Sequence, residues 1–410
     1  MRYFLAVGLF IGMLATDSPS WCYEPTIPAA VDLDKLSRAA EEPQSLKDFF
    51  EERTRVEVGF DETYNDNVLL EDNHKREDYI SGLESRVIFS DPRGSLLYGA
   101  SYIVDLFRYH HLNANAIDHR SQIFSDFDPG GRFKYRFDYR LSAINQLTFG
   151  PSEIDILRRS GDFQRSVTHK WNGRMRYALN DTNEMVPQIE YSLFDDQRVE
   201  DADTDRRSFK TIVDLDHDLK PGWTLFGGYE FSDVAILGNK LRSSEGHAAR
   251  LGCRYNLTEI TDLDLTLKFD RREWRSGQRK NDFNVKGTWT YQMGPRTKFL
   301  VEYSDEHIPS FNASRLQFRS TRPDVQILYE LTPLTELALK VAYEKQRSGG
   351  RDVLTGTPST TAVSSHYTFQ AGIKWQVREQ VHIDLNYTFD RSKTRDTTNH
   401  TFRVGIKAQL

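Results

Sequence analysis

The sequence predicts an all-β fold: a transmembrane, antiparallel, up-and-down outer-membrane β-barrel of about eighteen strands, with short periplasmic turns and long external loops. Three observations predict it. Apolar and polar residues alternate with period two from Arg55 to Leu410. The connections between alternating segments are short and long by turns. Aromatic residues of the apolar parity collect at segment ends rather than in their middles.

Side chains of a strand point to opposite faces, so each such segment has one apolar and one polar side. The last thirty residues show it most plainly, with Val381, Ile383, Leu385, Tyr387 and Phe389, then Phe402, Val404, Ile406, Ala408 and Leu410. One hairpin of this kind suits a soluble sandwich equally well. Repetition along the whole chain decides for the barrel.

Bulk properties bound the alternatives. The chain has 410 residues, 38% of them hydrophobic, and a mean hydropathy of -0.62, which excludes a bundle of membrane-spanning helices. The net charge of -6 comes from interspersed residues of both signs, so no nucleic-acid interface is expected. Two cysteines, Cys22 and Cys253, cannot build a disulfide framework.

Residues 1–22 read as a signal peptide: Arg2, an apolar run over 3–15, then small residues. Pro19-Ser20-Trp21 before Cys22 lacks the aliphatic and small residues of a lipoprotein site. Residues 23–53 read as a periplasmic N-terminal segment with a short amphipathic helix over 31–40 and a capping box at Ser45-Leu46-Lys47-Asp48. It serves either as a leader into the first strand or as a small plug or docking helix. Residues 54–410 form the barrel.

The apolar parity defines the strands in order. The first carries Val56, Val58, Phe60 and Tyr64; the second Tyr79, Leu83, Val87 and Phe89; the third Leu96 to Leu106. The fourth is weak, around Ile123 and Phe127, and the fifth is clean from Phe133 to Ala143. Val167, Trp171, Met175, Tyr177 and Leu179 mark the sixth, and Met185 to Leu193 the seventh. Phe209, Val213, Leu215 and Leu219 lead into Trp223, Leu225, Gly227, Tyr229 and Phe231. Ala249 to Leu257 and Leu263 to Phe269 follow, then Phe283 to Tyr291 and Phe299 to Tyr303. Val325 to Leu331, Leu337 to Tyr343 and Tyr367 to Val377 precede the two closing strands.

Short connections fall at 90–94, 128–131, 180–183, 220–222, 258–261, 294–296, 332–335 and 378–380, with the Gly, Pro, Asn and Asp content that tight hairpins need. Between them lie longer polar connections such as 108–118, 146–162, 195–205, 234–245 and 346–365. Outward Tyr135, Tyr177, Trp223, Tyr255, Trp289 and Trp375 lie near short turns, and Tyr64, Tyr191, Tyr229, Tyr303, Tyr343 and Phe389 near long loops. Two aromatic girdles around an aliphatic band match a bilayer as solvent, whereas a sandwich concentrates aromatics in its core.

The opposite parity is rich in charge. Lys134, Arg136 and Arg140 occupy the fifth strand, Lys170, Arg174 and Arg176 the sixth, and Arg250 and Arg254 the tenth. Asp214 and Asp216 lie on the eighth strand, Asp262 and Asp264 on the eleventh. These residues are the candidate pore-lining set. Two readings stand for them: a basic ladder that guides an anionic solute, or a web of ion pairs that braces a polar interior.

No catalytic motif appears: H-E-x-x-H, G-x-S-x-G, C-x-x-C and P-loop patterns are missing, and His110 and His111 have no partner that spacing identifies. Neither an enzyme nor a cofactor is expected. Asp66-Asn67 and Asp72-Asn73 have the residue types of calcium ligands but read as loop-initiating turns, so no metal site is assigned.

At Phe60-Asp61-Glu62-Thr63-Tyr64-Asn65-Asp66-Asn67-Val68 the chain resembles the putative β-barrel porin 2 family of outer-membrane proteins, with Glu77-Asp78-Tyr79-Ile80 as the matching second element. The resemblance implies passive export of an exopolysaccharide or capsular polysaccharide across the outer membrane of a Gram-negative bacterium. Expected partners are outer-membrane lipid and lipopolysaccharide, the barrel assembly machinery and periplasmic polysaccharide-export components. A general or small-solute porin and a non-conducting adhesin or structural barrel are the alternatives.

The facing assignment has a direct test. Arg on the lipid face costs about 2–4 kcal/mol at mid-membrane, so Leu265→Arg or Val285→Arg is expected to impair assembly strongly. Thr266→Arg and Lys286→Glu, on the other parity, are expected to fold and to alter conductance. Equal tolerance at both parities, scored by the folded band on unheated gels, contradicts the assignment.

Overall fold

The computed structural model describes residues 53–68, 76–144, 166–196, 205–238, 240–258, 260–309, 317–351, 358–393 and 397–410. The signal peptide expected over 1–22, nearly all of the 23–53 segment and Asp72-Asn73 lie outside these residues, as do 146–162 and parts of the other long connections.

Eighteen strands follow one another: β1 Thr54–Asn65, β2 Asp78–Arg93, β3 Leu96–Tyr109, β4 Ala114–Phe127, β5 Phe133–Ile144 and β6 Ser166–Asn180. Next come β7 Asn183–Asp196, β8 Arg206–Lys220, β9 Trp223–Ile236, β10 Ser244–Thr258, β11 Thr261–Trp274 and β12 Arg279–Met293. The chain ends with β13 Thr297–Pro309, β14 Gln317–Thr332, β15 Thr335–Arg351, β16 Pro358–Arg378, β17 Val381–Ser392 and β18 Thr397–Gln409. Each strand pairs antiparallel with its sequence neighbours, and β1 also pairs with β18, so the sheet closes on itself. Closure runs in unbroken register from Glu57↔Gln409 to Asn65↔Thr401.

The two faces invert the pattern of a water-soluble protein. Leu215, Leu251, Phe269 and Ile189 are 55%, 59%, 62% and 51% exposed. Asp105, Asp138, Asp214 and Asp216, of the opposite parity, are only 4%, 5%, 5% and 6% exposed. A greasy exterior around a charged interior needs hydrocarbon outside, and closure leaves no sheet edge unpaired at that depth. The chain is an outer-membrane β-barrel.

Turn chemistry sets the short end. In Lys220-Pro221-Gly222-Trp223, Gly222 takes φ 80°, a left-handed conformation that costs a side-chain-bearing residue and that glycine adopts freely. At the turn after β4, Asp128 accepts from the Lys134 ammonium at 2.8 Å and from the Gly130 N–H at 3.0 Å. Together these hold its carboxyl below the ordinary carboxylate range.

One connection differs from expectation. Residues 108–118 read as a long external loop, but β3 runs to Tyr109 and β4 starts at Ala114, leaving a tight turn. Asp78 fixes it by accepting from the His111 and Leu112 N–H groups at 2.8 and 3.1 Å. Tyr109, Ile80, Ala116 and Val68 pack together beneath it, inside the external end of the barrel. The β15 and β16 strands likewise reach past the expected loop edges, to Arg351 and from Pro358.

The closing seam is held by side chains as well as backbone. Lys407 of β18 reaches across β1 to Glu84 of β2, with Nζ 3.0 Å from both carboxylate oxygens. Gly59 stands between them in register, opposite both Lys407 and Glu84. Neighbouring strands are about 4.8 Å apart, so a long side chain can span two of them where a small middle residue leaves its path open. Arg403 also bonds Asp61 at 3.1 Å. At the external end Asn65, Asp66 and Asn67 staple β1 to β18: the Asp66 N–H donates to His400 O at 3.1 Å and Asn67 Nδ2 to Thr398 O at 3.1 Å. The Asp-Asn pair thus serves closure.

Charge-assisted bonds of this kind contribute about 1.5–3 kcal/mol. Lys407→Glu is therefore expected to lower the temperature at which the folded barrel converts to the unfolded form on gels. Adding Glu84→Lys to it should restore much of the loss, and no rescue by the second change contradicts the seam assignment.

Candidate functional site

The inner face splits into two sectors of different character. In the first, on β8 to β11, acids and bases meet. Asp214 lies opposite Gly228, which lies opposite Arg250. Arg250 reaches over that glycine to Asp214 at 3.6 Å and stands 4.0 Å from Glu230. A Cβ on residue 228 would come within 2.0 Å of Asp214 Oδ1, so glycine here is a requirement of the contact.

Arg254 pairs with Asp216 across β9 and with Asp264 of β11 at 3.5 Å. Its guanidinium lies 4.5 Å from the centroid of Phe226, an inward aromatic that is 2% exposed. Lys268 adds a bond to Glu230 at 3.1 Å, and Arg272 crosses Gly246 to Ser232 at 3.0 Å. Asp262 is exposed, across from Asn256 and Thr290. This sector is a brace: opposite charges a few ångströms apart, partly desolvated and mutually compensated.

The second sector, on β5 and β6, has the opposite logic. Here like charges face one another in register: Lys134↔Arg176, Arg136↔Arg174 and Arg140↔Lys170. Like charges placed directly opposite destabilise a sheet. Partial relief comes at the ends. Lys134 pairs with Asp128 at 2.8 Å and Arg140 with Asp138 at 2.6 Å, while Arg176 stands 3.9 Å from Glu184.

The central pair makes no such contact, although the Asp216 and Asp214 carboxylates act on Arg174 from a greater distance. Arg136 is opposite Asp126 on its other side, yet neither Arg136 nor Arg174 makes an ion pair among the described residues. Arg174 Nε is buried without a hydrogen-bond acceptor among the described residues. Arg136 and Arg176 are exposed although they belong to the inner parity, so they border open, solvent-accessible space.

All twelve sequence-derived candidates lie on the face opposite the exposed apolar side chains. The structure brings Asp214, Asp216, Asp264, Arg250 and Arg254 together, and separately Lys134, Arg136, Arg140, Lys170, Arg174 and Arg176. Sequence reading passed over Glu230 and Lys268, Arg120 with Asp105, and Lys340 with Asp324 at 2.9 Å. Their inward parity was visible; their pairing needs the register of three strands at once.

No family model matches the chain, and no curated protein matches it. Solved structures similar to it include OccK11 (OpdR) of Pseudomonas aeruginosa, at 13% identity over 88% of this chain and 97% of that one, with a TM-score of 0.45. OpdL of Pseudomonas aeruginosa is similar at 10% identity over 87% and 98%, with a TM-score of 0.46. A mutant of the ferric enterobactin receptor PfeA of Pseudomonas aeruginosa is similar at 8% identity over 87% and 80%, with a TM-score of 0.48.

Proposed function

We propose that this barrel is a passive channel of the outer membrane, and that its cargo is an anionic polysaccharide passing outward. The observation that carries the reading is the β5–β6 ladder, in which three pairs of cations face one another in register and the central pair, Arg136 and Arg174, makes no ion pair among the described residues. A purely bracing interior gains nothing from that facing, and β8 to β11 show how this chain braces when bracing is the task. An anion moving along the ladder supplies the missing counter-charge, and successive cations one or two residues apart let it step from site to site without being trapped.

The choice of a polysaccharide draws on the first-strand motif at Phe60 to Val68 and its resemblance to export porins. A ladder along two strands also suits a polymer carrying repeated charges better than a single small ion. Periplasmic export components and the barrel assembly machinery are the partners this reading calls for.

Planar bilayer recording tests it. Under a KCl gradient the wild-type barrel is expected to reverse at a potential favouring chloride, and Arg136→Glu with Arg174→Glu to shift it toward potassium. Oligogalacturonate added to the periplasmic side should produce brief current blocks that shorten in the double variant, whereas neutral dextrin should not block. A barrel without conductance overturns the channel. Conductance without preference for chloride or the acidic oligosaccharide overturns the anionic-glycan cargo and leaves a general porin.

A further inference from the structure

The outer face carries a repeated cross-strand pair that lies away from the lumen. Four tyrosines hydrogen-bond through their hydroxyls to a histidine Nδ1 on the next strand: Tyr102 to His119 at 2.8 Å, Tyr139 to His169 at 3.0 Å, Tyr229 to His247, and Tyr387 to His400 at 2.8 Å. Each tyrosine is the seventh residue of an upward strand, counted from Leu96, Phe133, Trp223 and Val381. Each histidine stands two residues before the tyrosine's register partner, which are Ser121, Trp171, Ala249 and Phe402. The same diagonal geometry at the same count along four hairpins places all four pairs at one height.

That height is at, or one row inside, the external edge of the apolar band. Beyond His247 the outward residues become Glu245 and Asp233, and beyond His400 they become Thr398 and Arg391; one further apolar row, Leu106 with Ile117 and Ala143 with Val167, lies beyond His119 and His169. Aromatic and hydrogen-bonding side chains at this level meet lipid headgroups. Arg271, exposed and directly opposite His247, adds a cation to one of the four pairs.

Proton placement gives the pair a direction. A phenol hydroxyl can donate to a neutral imidazole nitrogen or accept from its N–H, and donation to Nδ1 is the arrangement that leaves the other ring nitrogen free to donate outward. With the hydroxyl donating to Nδ1, the ring proton sits on Nε2. No protein acceptor for Nε2 of His119, His169, His247 or His400 is found among the described residues. Packing fixes the rings: His169 stacks on Trp171 at 5.6 Å between centroids, and His247 and His400 lie 5.3 and 5.0 Å from Phe231 and Phe389.

We propose that the four Tyr–His pairs form a belt that binds phosphate-bearing headgroups of outer-leaflet lipid, each imidazole donating its Nε2–H to a phosphate oxygen while the tyrosine hydroxyl holds the tautomer. A phosphate is the headgroup chemistry that accepts from several such donors and is drawn to Arg271. The belt is separate from the lumen and does not depend on what the barrel conducts.

Native mass spectrometry of the full barrel tests this, released from maltoside micelles doped with dimyristoyl phosphatidic acid or with dimyristoylglycerol, which has the same chains and no phosphate. The wild type is expected to retain phosphatidic acid in preference, and free inorganic phosphate should not displace it. Replacing His119, His169, His247 and His400 with Phe keeps the rings and removes the donors. That variant is expected to bind phosphatidic acid about tenfold more weakly, the size of one charge-assisted hydrogen bond. The corresponding Tyr→Phe set should weaken it less.

Equal retention of the two lipids by the wild type overturns the proposal, as does unchanged phosphatidic acid binding in the folded His→Phe variant. If that variant does not fold, the imidazole nitrogen resonances of the wild type decide. Phosphatidic acid should shift the Nε2 signals of these four histidines, and unmoved signals overturn the belt.

Discussion

Backbone hydrogen bonding between β1 and β18 is the contact on which the rest of the structure depends. Hydrocarbon offers no partners to a peptide group, so a strand edge left open at that depth would expose a row of unsatisfied donors and acceptors. Closing the sheet removes the edge, and only then can the greasy parity face outward. The chain reinforces the seam where the backbone alone closes it. Lys407 reaches Glu84 over Gly59, Arg403 reaches Asp61, and the Asn65-Asp66-Asn67 staple ties the external end. Residues at opposite ends of the sequence, such as Lys407 and Glu84, thereby become neighbours.

Once closed, the barrel has an interior that lipid does not touch, and charge is free to gather there. It gathers in two ways. Around β9, small inward residues such as Gly228 and Ala248 let arginine and lysine arch over a whole strand to an acid beyond, which ties strands that share no backbone bonds. Along β5 and β6 the cations are instead set against one another. The contrast within one molecule is informative, because both sectors belong to the inner face of one closed sheet. The difference lies in register: the second sets cation directly opposite cation, with acids such as Asp128, Asp138 and Glu184 beside some of them.

Much of the architecture was legible because lipid imposes one rule on every strand. Leu263, Leu265, Leu267 and Phe269 could not be read as anything but one face of a strand, and the strand count followed from repetition. β4 was harder. Its outward residues include His119, Ser121 and Ser125, and His119 makes sense only beside Tyr102 on the neighbouring strand. Strand ends beyond the bilayer, at Arg351 and Pro358, were hidden for a related reason: outside the hydrocarbon both faces meet water and the alternation fades. For the inner face, the sequence shows which residues point inward and with what sign. It does not show which meet, because Arg250 and Asp214 are matched through a third strand.

The central claim is that hydrocarbon is the solvent for the outer parity. Spin labels placed one at a time along β11 from Asp262 to Asp270, on a background with Cys253→Ser in reconstituted vesicles, measure it most directly through collision with oxygen and with a water-soluble nickel chelate. Oxygen accessibility should peak at 263, 265, 267 and 269, with nickel accessibility peaking at the residues between. A profile without that alternation, or nickel reaching the leucine positions as readily as the aspartates, would contradict the account.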